Sequence, residues 1–208
     1  MKQQNLYLFL FFILILPLWS REEITFYAKK MEVSHGGDHL TLQGEVLLRM
    51  DSFTLYAQSV QIQGKNQRTL QAQTDVKILR NTNEAQELHA QNLHYSEISR
   101  ELHAWGDVLF HDDTESITIQ ASSLRFHESN ETWRFEGDVN LQGEDFHTQS
   151  FIAIYYEKTK QLELHGQVRL VYQEQLFEAE QILFNVETKN LTMEHIHRGT
   201  INTARTSS

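Results

Sequence analysis

Eleven histidines in 208 residues are the side chains here best suited to chemistry, and two groups of them stand out. His111-Asp112-Asp113 sets an imidazole beside two carboxylates, the residue types of an acid–base relay. His195 and His197 are two apart, which on a strand places both on one face, and imidazole suits zinc or copper. Neither group develops further. The His111 run falls between alternating segments, where a polar hairpin tip is expected anyway. No third ligand accompanies His195 and His197, and Glu194 falls on the opposite face of a regular strand. The chain has no cysteine, no Gly-x-Ser-x-Gly elbow and no phosphate-cradling glycine loop. The expectation is a protein that is not an enzyme, holds no metal and needs no cofactor.

Charge narrows the partners. Eighteen Lys and Arg stand against 28 Asp and Glu, a formal net charge of −10. Nucleic-acid binding needs clustered basic residues that displace counterions, and no such cluster appears along the sequence.

The elements that must carry any function come from a repeat. Units begin at the small residues Ala28, Ala57, Ala90, Ala121, Ser150 and Ala179, spaced by 29, 33, 31, 29 and 29 residues. Each small residue opens a segment of the form Ala90-x-x-Leu93-x-Tyr95. A polar turn such as Glu128-Ser129-Asn130-Glu131 or Glu157-Lys158-Thr159-Lys160 follows, and then a returning strand such as Trp133-x-Phe135-x-Gly137-x-Val139-x-Leu141. Strict period two excludes a helix and gives an antiparallel strand with one buried and one wet face. A unit of this length cannot bury its apolar face alone and must stack on its neighbours. The predicted fold is all-β, an open twisted sheet of about twelve or more antiparallel strands built from six repeats of roughly 30 residues.

The alternation slips once per unit, directly after the small residue, so Leu55 and Ala57 share one parity while Val60 and Ile62 share the other. A row of β-bulges in these outgoing strands is the expected cause. Counting back from the turns sets Gly44 opposite or next to Ala57, and likewise Gly106 by Ala121, Gly137 by Ser150 and Gly166 by Ala179. A line of small residues next to bulges lets the sheet crease and fold over into a two-layered trough. Its inner face takes Leu42, Val46, Leu55, Ile62, Val108, Phe110, Ile119, Phe126, Val139, Leu141, Val168, Leu170 and Phe184. Two units depart from the pattern: Thr74 and His195 stand where glycine is expected.

The ends divide the chain. Residues 1–20 read as an export signal, with Lys2 ahead of the apolar run Leu6 to Leu16 and cleavage after Ser20, or as a short uncleaved anchor. Residues 21–197 form the repeat domain, and residues 198–208 form a polar, disordered tail. The single proline, Pro17, lies in the leader, so neither edge strand of the open sheet is blunted by proline and both can pair with another chain.

An export signal followed by repeated Ala-x-x-φ-x-φ, turn and φ-x-φ-x-Gly-x-Val-x-φ units, as in Leu40-Thr41-Leu42-Gln43-Gly44-Glu45-Val46 and Phe135-Glu136-Gly137-Asp138-Val139, resembles the OstA-like lipopolysaccharide-transport family typified by LptA. The resemblance spans about residues 24–195. It implies an open β-jellyroll in the periplasm that carries lipopolysaccharide or a related glycolipid toward the outer membrane. The thirteen inner-face residues named above would then hold acyl chains. It also implies edge-to-edge partners, namely an inner-membrane transporter, an outer-membrane insertion protein and a head-to-tail second copy. An inner-membrane-anchored relative, LptC, is the alternative within the family. A structural or adhesive repeat protein without lipid is the alternative outside it.

Overall fold

Period-two alternation in the sequence becomes strand after strand, each turning back on the one before. A computed structural model of the chain describes residues 24–50, 53–64, 67–81 and 86–200. The leader at 1–20, the turns at 51–52 and 65–66, most of the 81–86 connection and residues 201–208 lie outside the described residues.

Thirteen strands form one sheet: β1 (Thr25–Tyr27), β2 (Lys30–Ser34), β3 (His39–Arg49), β4 (Phe53–Gln63), β5 (Thr69–Arg80), β6 (Gln86–Ser96), β7 (Glu101–Asp112), β8 (Ile117–His127), β9 (Thr132–Gln142), β10 (Phe146–Tyr156), β11 (Gln161–Tyr172), β12 (Gln175–Asn185) and β13 (Leu191–Thr200). From β3 onward every strand pairs antiparallel with its successor, while β1 and β2 both pair with β3 as two halves of one interrupted outgoing strand. Among the described residues nothing joins β2 to β13, so the jellyroll is open. The last strand runs to Thr200, three residues past the boundary expected at 197, and Thr200 pairs with Leu176.

The crease lies where the small residues predict it, but its construction differs from expectation. The extra residue sits on the returning strands. Gln43 and Val46 of β3 pair with Ser59 and Ala57 of β4, so Gly44 and Glu45 together oppose Gln58 alone. The same two-against-one count recurs at Thr74-Asp75, Gly106-Asp107, Gly137-Asp138 and Gly166-Gln167. In each pair both residues take positive φ, for example Gly137 at 79° and Asp138 at 49°. A residue with no Cβ takes this conformation at no steric cost, which accounts for glycine at the first position. Thr74 adopts φ 65° without that freedom, and His195 adopts φ 53°.

Each glycine lies next to the small residue of the following strand and not directly opposite it. Ala57, Ala121, Ser150 and Ala179 sit across from Val46, Val108, Val139 and Val168. Each glycine instead covers the residue after the small residue of the preceding strand. A Cβ on Gly137 would lie 2.9 Å from Ser122 Cβ, one on Gly106 2.9 Å from Gln91 Cβ, and one on Gly166 3.1 Å from Phe151 Cβ. The close approach of two strands at the crease, more than the turn register, therefore calls for glycine.

Folding about this crease gives two leaves. Leaf A carries the hairpins β3–β4, β5–β6, β7–β8, β9–β10 and β11–β12. Leaf B carries β2–β3, β4–β5, β6–β7, β8–β9, β10–β11 and β12–β13. Their inner faces meet through side chains. Phe53 of leaf A lies edge-on to Tyr95 of leaf B at 5.6 Å, Phe110 packs on Phe135 at 5.6 Å, and Phe146 on Phe184 at 4.9 Å. Each contact joins a strand of leaf A to a later strand of leaf B, as accumulated right-handed twist requires of a coiled sheet.

Candidate functional site

The space between the leaves is the one place where the repeat concentrates a single chemistry. Every one of the thirteen residues expected on the inner face is there: Leu42, Leu55, Leu141, Leu170 and Phe184 are fully buried, and Ile62 and Phe126 are the most exposed at 7%. Most of them lie in leaf A. Leaf B adds residues that the sequence reading left out, among them Leu93, Leu124, Trp133, Phe135, Leu162 and Leu164, all buried. The Trp133-x-Phe135 and Leu162-x-Leu164 alternations were the signal for them.

The stagger of the leaves decides where this apolar face comes to the surface. Leaf B strands early in the chain have no earlier leaf A strand above them, so Met31 and Val33, which pair with the inward Leu42 and with Leu40, are 54% and 56% exposed. Phe26, opposite the buried Leu48, is 43% exposed. At the other end Ile196, opposite the inward Ala179, is 58% exposed. The interior thus continues into an uncovered apolar strip at the β1–β2 end of the sheet and ends at one uncovered apolar side chain, Ile196, on β13. Elsewhere the two leaves are in contact.

A polar cluster closes one long side, and nothing in the local sequence announced it. Glu157, in the β10–β11 turn of leaf B, accepts hydrogen bonds from Arg80 Nη1 at 2.8 and 3.1 Å, from Gln86 Nε2 at 2.9 Å and from Trp133 Nε1 at 2.8 Å. Arg80 and Gln86 belong to leaf A. Arg80 also lies 5.4 Å from the Phe126 ring centroid, close enough for a cation–π contact. Gln86 Nε2 donates to Asp112 Oδ2 at 2.8 Å, and Asp112 Oδ1 accepts from the backbone N–H groups of Thr114 and Glu115. Gln86 and Asp112 are buried, and their hydrogen bonding satisfies the groups that burial would otherwise leave unpaired. Nearby, Lys160 of leaf B pairs with Glu115 of leaf A at 2.5 Å.

The groups first considered for chemistry are accounted for elsewhere. His111 Nε2 lies 2.8 Å from Asp113 and Nδ1 2.9 Å from Thr118 Oγ1, while Asp112 points into the cluster just described. His197 lies 3.0 Å from Glu180. Among the described residues no three His, Asp or Glu side chains converge as metal ligands do. A surface depression of about 520 Å³ follows the crease along Gly106, Asp107, Val108, Gly137 and Asp138. Among the described residues no helix is long and apolar enough to cross a membrane.

No curated protein matches the chain. Among solved structures, that of LptH from Pseudomonas aeruginosa, the LptA homologous periplasmic component of a lipopolysaccharide transport device, matches at 11% identity and a TM-score of 0.25, covering 88% of this chain and 90% of that one. The family described as LptA/(LptD N-terminal domain) LPS transport protein matches residues 25–190, nearly the whole of the sheet. With that match and an open antiparallel jellyroll enclosing one apolar interior, the chain belongs to the LptA/LptD N-terminal domain family of LPS transport proteins.

Proposed function

We propose that this protein is a passive carrier that holds the acyl chains of lipopolysaccharide, or of a related glycolipid, between its two leaves on the way to the outer membrane. The observation that carries the reading is an interior lined almost wholly by apolar side chains, with Thr148 a polar exception, which surfaces as an uncovered apolar strip at the β1–β2 end of the sheet and at Ile196 on β13. A carrier that joins others in a line needs such ends. The edge strands β2 and β13 are the surfaces through which an inner-membrane transporter, an outer-membrane insertion protein or a second copy would pair, and the periplasm is where they would meet.

The energetics suit a carrier without a cofactor. Burying an acyl chain is worth about 0.8 kcal/mol per methylene, so a twelve-carbon chain gains roughly 9 kcal/mol on leaving water. Parting the leaves exchanges ring-to-ring contacts for ring-to-chain contacts of the same kind, so apolar surface stays covered. A site of uniform affinity cannot set direction, which must come from an energy-consuming partner.

The test is photocrosslinking in living cells from inward positions such as Leu141 and Leu170, with outward Arg169 as control. Lipopolysaccharide adducts at the inward positions alone support the reading; no adduct at any of them overturns it. A component held at the inner membrane by an uncleaved leader is the second reading, motivated by Leu18 and Ser20, which stand where a cleavage site has its small-x-small pattern. The mass of the exported protein separates the two.

A further inference from the structure

We propose that the donors around Glu157 form an oxyanion site on the long side of the jellyroll, filled by Glu157 when the leaves are closed and by a lipid phosphate when they part. The inference deepens the carrier reading and rests on it, because it names the headgroup chemistry and the side on which the lipid is admitted.

Three donors, Arg80 Nη1, Gln86 Nε2 and Trp133 Nε1, converge on one carboxylate within 2.8–3.1 Å. Two come from leaf A and the third from leaf B, while the carboxylate sits on a leaf B turn. Such a set recognises an oxyanion by charge and by geometry, and a guanidinium does so for phosphate as well as for carboxylate. The site is only partly covered, since the Arg80 side chain is 24% exposed and that of Glu157 11%. Asp112 lies behind Gln86 with Oδ1 already engaged by two backbone amides, so it steadies Gln86, whose Oε1 accepts from Arg80 Nη1 at 2.8 Å and ties the two leaf A donors together. A singly charged phosphate replaces the Glu157 carboxylate charge for charge. Releasing the Glu157 turn then loosens leaf B from leaf A along this side, where Lys160–Glu115 is a further ion pair between leaves. The phosphate, held by Arg80 and Gln86 of leaf A, enters at the rim beside Phe126, whose ring lies 5.4 Å from the Arg80 guanidinium in the closed form and stacks on Trp133 at 4.0 Å. An amphiphile with phosphate outside and hydrocarbon inside fits that arrangement.

The chain has no cysteine, so a single introduced thiol reports on leaf opening without background. Leu102→Cys places it on the inner face of leaf B, and Ala72→Cys near the crease serves as control, because global unfolding would expose both. In the full chain, Glu157→Gln is expected to speed thiol labelling at position 102 at least ten-fold with little change at position 72. Dodecyl phosphate below its micelle concentration is expected to do the same to the parent protein, and to have no effect in Arg80→Gln. Dodecyl maltoside and inorganic phosphate are expected to leave the rate unchanged. Equal labelling of Glu157→Gln and its parent overturns the clasp. Acceleration by dodecyl maltoside overturns the phosphate site, and acceleration by inorganic phosphate alone overturns the lipid as its source. If all expectations hold and purified protein still retains no lipopolysaccharide, the carrier reading falls while the oxyanion site stands.

Discussion

The ring of Phe110, on β7 in leaf A, lies 4.6 Å from that of Trp133, on β9 in leaf B, with β8 hydrogen-bonded between their strands. Two strands that never pair are in contact because the sheet has folded over. Truncating Phe110 removes contacts that tie the leaves together, so Phe110→Ala is expected to cost about 3–5 kcal/mol in denaturant unfolding, the range for a fully buried aromatic. A loss under about 1 kcal/mol would mean that the leaves are not packed against each other there.

The crease gives a pair of opposite predictions. Gly137→Ala adds a Cβ 2.7 Å from Ser122 Oγ at a φ of 79°, and should destabilise by about 2 kcal/mol or more. Thr74→Gly relieves a threonine held at φ 65°, and should stabilise by about 1 kcal/mol. Thermal unfolding of the two variants reads both signs, and a stabilising Gly137→Ala would refute the account of the seam.

Thr148 is fully buried on the inner face between Leu141 and Leu170, and its hydroxyl has no hydrogen-bond partner. An unmet buried hydroxyl costs about 1–3 kcal/mol. Thr148→Val keeps the shape and removes that cost, so the midpoint of unfolding is expected to rise. A fall would show that the hydroxyl is bonded after all.

His103 sits on the outer face of leaf B, its ring 4.9 Å from that of Trp105, with His94 and Arg125 directly opposite on the neighbouring strands. Burial holds its imidazole below the usual 6.5, helped by Arg125 and His94 and opposed by Glu101 and Glu136. The unfolded chain therefore binds a proton more readily. Stability is expected to fall as the pH drops below about 6.5, and His103→Gln should flatten that part of the stability–pH curve. An unchanged slope would assign the acid sensitivity to other groups.

Val139 lies on the inner face beside the crease, opposite Ser150. Val139→Asp puts a charge where an acyl chain would lie, and lipopolysaccharide retained on purification should drop sharply. Val139→Thr, which keeps the shape, should show a smaller drop in a fully folded protein. Full retention by a folded Val139→Asp would remove this part of the interior from the lipid path.

Period-two alternation by itself determined the strands, their order along the sheet, and which side of each faces inward, because on either side of the slip a side chain's face follows its parity along its own strand. The small residues marked the crease for the same local reason. Only the tertiary structure decided that the extra residue belongs to the returning strands, since a bulge is a relation between two chains and parity is read along one. Only it decided the stagger of the leaves, which leaves Met31, Val33 and Ile196 uncovered, because that offset is the sum of twist over many strands. The meeting of Arg80 with Glu157, 77 residues away, is a product of that same offset and of no pattern within a single repeat.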